Sequence, residues 1–222
     1  MTEFVLFMVF SILEIYAMFA LAFSVFKIDL YPFEMIFAGF IMGFFSYILR
    51  YDHGWVQVDI IVQYVLVFAF LWMLFKIHIF YAAVMTGFAY QAYTSIQTVF
   101  YFLMSKLGLL SVKFPSVSDL NTYILQVSTA TVALLIAWYI RKKRIGFDFI
   151  PDKQTGKVEM ETREVLLVSL NIPSFAIILL TVYIANFINT ILVILPMVYV
   201  LIFYIYVHFS YKKDRLHEND SF

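Results

Sequence analysis

The chain has 222 residues, of which 64% are hydrophobic, 20% aromatic and 14% charged, with 15 basic and 15 acidic side chains. A soluble domain is about half apolar and about a quarter charged, so a soluble globule, a disordered chain and a nucleic-acid binder are excluded. No cysteine is present, which excludes disulfides, thiolate-bound zinc and thiol catalysis.

A helix that crosses a bilayer needs roughly 20 mostly apolar residues. Taken in chain order, the apolar runs predict spans over residues 4–26, 33–49, 56–75, 77–103 and 120–140. Residues 165–209 carry no acidic or basic side chain except His208, and at 1.5 Å per residue they would make a helix about 68 Å long. That is over twice the hydrocarbon thickness, so the run must fold back. Its polar interruption at Ala185-Asn186-Phe187-Ile188-Asn189 divides it into 165–185 and 187–209. The expected fold is therefore an all-α polytopic membrane protein, a bundle of seven transmembrane helices in one domain over 1–209. Residues 210–222 follow as a polar tail. The runs are too long and too uniformly apolar for barrel strands, and backbone satisfaction in lipid then leaves only helices. The start, Met1-Thr2-Glu3, has no basic leader and no convincing cleavage pattern, so the first helix is expected to be retained.

Lysine and arginine favour cytoplasmic loops. With seven spans, one side holds Lys27, Lys76, Arg141, Lys142, Lys143, Arg144, Lys153, Lys157, Arg163, Lys212, Lys213 and Arg215, and the other only Arg50, Lys106 and Lys113. This bias predicts an outside N-terminus and a cytoplasmic C-terminus in the cell membrane. Trp138 and Tyr139, just before the basic run 141–144, fit an interfacial belt.

Candidate functional residues are the polar groups inside the spans. Glu14 sits at the midpoint of the first, where a carboxyl costs several kcal/mol unless it is neutral or partnered. Gln63, Tyr90 and Gln91 lie at a similar depth and are its expected partners. On the fourth span Gly87, Tyr90, Gln91, Thr94, Thr98 and Tyr101 recur at three- and four-residue spacing and share a face. Thr86, Ser95 and Gln97 widen that face. The fifth span adds Asn121, Thr122, Gln126, Ser128, Thr129 and Thr131. Together they predict an outward-facing polar cleft with Glu14, Gln63, Tyr90, Gln91, Thr94 and Gln126 as ligand-binding residues. For any one of them, hydrogen bonding between helices is the plainer expectation. Gly39 and Gly43 form a small-xxx-small pair, expected to pack helices within the bundle in preference to forming a homodimer seam. Pro173 and Pro196 are expected to kink the sixth and seventh spans. No histidine is spaced with another ligand for a metal. His217-Glu218 is a weak match to a phosphoacceptor. No hydrolase, zincin or P-loop motif occurs. The expectation is no catalysis, no cofactor and no metal.

Several strings carry a resemblance: Leu13-Glu14-Ile15-Tyr16, Tyr31-Pro32-Phe33-Glu34, Ser46-Tyr47-Ile48-Leu49-Arg50, Phe75-Lys76-Ile77 with Phe80-Tyr81-Ala82, Ile145-Gly146-Phe147-Asp148-Phe149-Ile150-Pro151, and Tyr211-Lys212-Lys213-Asp214. In these the chain resembles the membrane sensor region of peptide-sensing receptor histidine kinases of the accessory gene regulator type. The resemblance implies binding of an extracellular peptide and signalling through the last helix. Dimerisation helices and an ATP-binding half are not encoded in these residues, so the expected product is a non-catalytic receptor-like protein. It would bind an extracellular peptide or small molecule and work with the bilayer and a separate kinase. The alternative is the substrate-binding membrane subunit of a transporter.

Overall fold

The computed structural model describes residues 2–107 and 120–147, together with 175–176, 198, 200–205, 207–208 and 211. Every element among them is helical: α1 (Thr2–Val25), α2 (Pro32–Tyr47), α3 (Val56–Ala69), α4 (Ile79–Lys106) and α5 (Leu120–Lys143). α2 and α3 each end in a π-helical turn, Ile48–Asp52 and Phe70–Leu74. Most of the predicted sixth and seventh spans, the prolines at 173 and 196, and all of the tail but Tyr211, including His217, lie outside the described residues.

Among the described residues, four helices are long and apolar enough to cross a membrane: Thr2–Val25, Pro32–Asp52, Val56–Leu74 and Asn121–Lys143. α4 is longer still, 28 residues or about 42 Å, but more polar. Its position explains the composition. Phe80, Ala82, Met85, Phe88, Ala89, Gln91, Ala92 and Ser95, which lie on more than one face of α4, are all buried. A helix surrounded by protein can carry amides and hydroxyls that a lipid-facing helix cannot. By contrast, α2 turns Phe33, Phe37, Phe40, Phe44 and Phe45 outward.

The helices alternate in direction. Along α1 and α5, contacts run in parallel from Phe10–Tyr123 (ring centroids 4.7 Å apart) through Glu14–Gln126 to Val25–Phe147. α2 runs against α1, with Gly39 at Ile12, Gly43 at Ser11 and Tyr47 on Phe4. A Cβ at Gly39 would come within 3.3 Å of the Ile12 Cα, so the small-xxx-small pair serves packing inside the bundle. α3 runs with α1, meeting it where Phe75 packs on Phe19 and Phe23. α4 runs against both, placing Phe88 on Phe26 at one end and Gln97 at Glu14 nearer the other. Later parts of the chain join the same core: Phe175 packs on Tyr64 and Phe203 on Phe88. Val198, Ile202, Phe203 and Val207 also face the core.

This alternation brings the ends of α1, α3 and α5 to one end of the bundle, where all three close in the same way. Lys27, Lys76 and Arg144 occupy left-handed backbone positions (φ 52°, 55° and 53°), and each is followed by isoleucine. The Ile28 amide returns to the Phe23 carbonyl and the Ile145 amide to Ile140, the six-to-one bond of a Schellman cap. Across the π turn the Ile77 amide reaches Leu71. Glycine is the usual residue at this position. Here a cation takes it, at the negative end of each helix dipole.

The chain leaving α5 is then pinned to α1. The Phe147 amide donates to the Val25 carbonyl at 2.7 Å, and the Phe147 ring packs near Phe26. Arg141 reaches the Ile28 carbonyl and the Asp29 carboxylate, both at 3.3 Å. Between them Gly146 adopts φ 153°, and a Cβ there would lie 2.5 Å from the Val25 carbonyl oxygen. Gly146→Ala should therefore destabilise the protein by about 2 kcal/mol or more, combining backbone strain with a clash. Gly54→Ala, at φ 67° with nothing within 4 Å, should cost only about 1 kcal/mol. Thermal unfolding of the two variants in detergent measures the difference, and equal losses would contradict the docking.

Candidate functional site

Two polar clusters lie inside this apolar bundle. The first joins α2 to α3. Asp59, one turn into α3, is fully buried. Its Oδ2 accepts from Arg50 Nε at 2.5 Å and from Ser46 Oγ at 3.0 Å, and its Oδ1 accepts from Gln63 Nε2 at 3.3 Å. Gln63 Nε2 also donates to the Met42 carbonyl at 2.8 Å. Arg50 is carried on the π turn that ends α2, across the short loop from α3. Each Asp59 oxygen thus has a donor, and its charge has a counterion.

The second cluster joins α1, α4 and α5. Glu14 Oε2 accepts from Gln126 Nε2 at 2.9 Å, and Glu14 Oε1 accepts from Gln97 Nε2 at 3.3 Å. Phe10 and Glu14 share the α1 face that meets α5, whereas Met8, Ser11 and Ile12 face α2. Tyr93, 4% exposed, places its hydroxyl beside the Glu14 carboxyl without hydrogen-bond geometry. The Gln126 Oε1 atom is likewise buried with no partner among the described residues. The Tyr90 ring packs at a tilt against Tyr64 (5.1 Å between centroids) and lies within electrostatic reach of both clusters.

The expected partners of Glu14 are therefore corrected. Among the bonds described, Glu14 is held by Gln97 and Gln126, while Gln63 bonds Asp59 and the Met42 carbonyl. The reason is the arrangement of the helices. α3 packs chiefly on α2 and α4, and its aromatic contacts with α1 lie at the far end, at Phe75. Gln63 is thereby committed to Asp59. Gln91 is fully buried within the bundle. Thr94 offers its carbonyl to the Thr98 hydroxyl. Of the six candidate residues, the structure brings Glu14 and Gln126 into direct contact, with Tyr90 between the clusters.

The hydroxyls also differ from expectation. Thr86, Ser95 and Thr98 on α4, and Ser128, Thr129 and Thr131 on α5, each bond the carbonyl four residues earlier in their own helix, at 2.6–2.8 Å. They neither link helices nor line a cleft with free donors. On these two helices the amides of Gln97 and Gln126 make the cross-helix bonds instead. Tyr93, Arg50 and Ser46 lie outside the predicted site, and Gln97 is on its polar face but not among the six predicted binding residues. Arg50 and Asp59 could have been paired from sequence, because a basic and an acidic residue flank one short loop between successive spans.

No family model matches the chain, and no curated protein or solved structure matches it either.

Asp59 is buried while the Arg50 side chain is 30% exposed, so removing the guanidinium leaves a buried carboxylate uncompensated, at a cost toward the lower end of the about 3–5 kcal/mol of a fully buried pair. Arg50→Leu should lose that much thermal stability, and the double variant with Asp59→Leu should regain most of it. A double variant as unstable as the single one would contradict the pairing.

Proposed function

We propose that this chain is a non-catalytic, multi-pass protein of the cell membrane that senses an extracellular peptide or small molecule. In this reading it crosses the membrane seven times, with the N-terminus outside and the C-terminus in the cytoplasm. Two features support the orientation. Basic residues are sorted twelve to three between alternate loops, and Lys27, Lys76 and Arg141 to Arg144 gather at the bundle end formed by α1, α3 and α5. Exposed Trp138 and Tyr139, with the Lys142 ammonium 4.8 Å from the Trp138 ring, suit the inner interface.

The observation that carries the reading is the Glu14 cluster. An intramembrane carboxyl is a functional-site hypothesis by default, and here it ties three helices together in one place. A ligand that competes for Glu14 changes the bonds holding α1 to α4 and α5. α5 leads directly into the segment clamped on the end of α1 by Phe147 and Arg141, so a shift between these two helices reaches the cytoplasmic side. Output then falls to a separate partner, such as a kinase.

The test uses the full chain in proteoliposomes with the peptide fraction of spent culture medium from the source cells. Saturable binding at the outer face is expected, weakened about tenfold to a hundredfold in Glu14→Ala and Gln126→Ala, the loss of one charge-assisted hydrogen bond. Binding unchanged in both folded variants would sink the site. Movement of the bound material across the bilayer would replace sensing with the transporter-subunit reading.

A further inference from the structure

We infer that the Glu14 cluster is a binding site for a single positive charge, an alkali cation or the protonated amine of a ligand. The inference rests on reading this cluster as a ligand site and names the chemistry it takes.

Charge balance is the first argument. The charged side chains of the two interhelical clusters are Glu14, Asp59 and Arg50. Arg50 is joined directly to Asp59. Two carboxyl groups thus share one guanidinium, and an ionised Glu14 has no cationic partner of its own among the described residues. Its two hydrogen bonds come from neutral amides. They orient an ionised carboxylate without neutralising it, and an isolated charge at this depth is costly.

The second argument is the set of unused oxygens. The Tyr93 hydroxyl and the Gln126 carbonyl oxygen are buried and unpartnered among the described residues, and both belong to side chains at the Glu14 carboxyl. Buried polar atoms rarely stay unpaired, and each exception calls for an explanation. A cation answers both deficits together. It supplies the missing charge, and it takes oxygen donors from the carboxylate, an amide carbonyl and a hydroxyl, the hard ligand set that suits alkali and ammonium ions. The amide nitrogens of Gln97 and Gln126 stay on the carboxylate and hold it in place. Charge supplied here would tighten the junction of α1, α4 and α5, and its departure would loosen it.

The purified full chain is melted in N-methylglucamine chloride, then with sodium, potassium or methylammonium chloride at matched ionic strength. At least one of the three should raise the melting temperature saturably, as expected for a ligand that binds only the folded state. Response to sodium or potassium identifies an ion, and response to methylammonium alone identifies the amine of a ligand. Glu14→Gln should abolish the response. Tyr93→Phe removes one oxygen and should weaken apparent affinity roughly five- to tenfold, which keeps the test decisive if Glu14→Gln does not fold. Equal stability in all four salts would overturn the inference, as would a response that survives in Glu14→Gln. Stability that rises only on acidification would also overturn it, because a proton would then fill the place. If cations have no effect while binding of the peptide fraction remains sensitive to Glu14→Ala, the cation fails and sensing stands. If cation dependence persists while that binding ignores Glu14, sensing fails and the cation site stands.

Discussion

Hydrocarbon cannot hydrogen-bond, so each carboxylate placed within a membrane bundle must find its partners among neighbouring helices. In this chain that constraint is met twice and unequally. Asp59 receives a guanidinium, a hydroxyl and an amide from residues close in sequence, and its cluster closes α2 onto α3. Glu14 receives two amides from helices more than 80 residues away. The first arrangement is electrically complete and behaves as structure. The second takes only neutral amides, and the Gln126 carbonyl oxygen has no partner among the described residues.

The rest of the fold serves to bring Gln97 and Gln126 to Glu14. Gly39 and Gly43 let α2 close tightly on one side of α1. This leaves the face of Phe10 and Glu14 to α5, which α1 packs against extensively. α4 can be polar because α1, α3 and α5 shelter it. At the end of the bundle the helices stop on Lys27, Lys76 and Arg144, each in a conformation that costs an ordinary residue about 1 kcal/mol or more. The cation's interaction with the helix dipole offsets part of that cost. Phe147 and Arg141 then fix the end of α5 to the end of α1, so the two helices that share Glu14 are joined at both depths.

The helices were legible in the sequence and their partnerships were not. Apolar run length alone placed helices at 4–26, 33–49, 56–75, 77–103 and 120–140, within a few residues of those observed, four of them long and apolar enough to cross a membrane. It did so because an apolar run of about 20 residues can be read without knowing its neighbours. Glu14 stood out for the same reason, as the single charge within its run. Its partners depend on which helices become neighbours, and spacing along one helix carries no such information. Depth alone made Gln63 as good a candidate as Gln126, and only the placement of α3 against α2 and α4 separates them. The hydroxyls misled for a related reason: a periodic stripe of Thr and Ser looks like a lining, yet Thr86, Ser95, Thr98, Ser128, Thr129 and Thr131 each bond a carbonyl of their own helix. The repeated tripeptide Phe26-Lys27-Ile28 and Phe75-Lys76-Ile77 was in plain view, but its meaning as a helix stop emerges only from the backbone.

The central claim is that Glu14 faces α5, not α3. The chain has no cysteine, so pairs can be introduced without background. Glu14→Cys is combined with Gln126→Cys in one protein and with Gln63→Cys in another. Both are treated in native membranes with a short bifunctional thiol reagent, which stands in for the side chains that bridge the gap. The account predicts an intramolecular cross-link for the 14/126 pair and none for the 14/63 pair. A cross-link in the second protein and none in the first would contradict it.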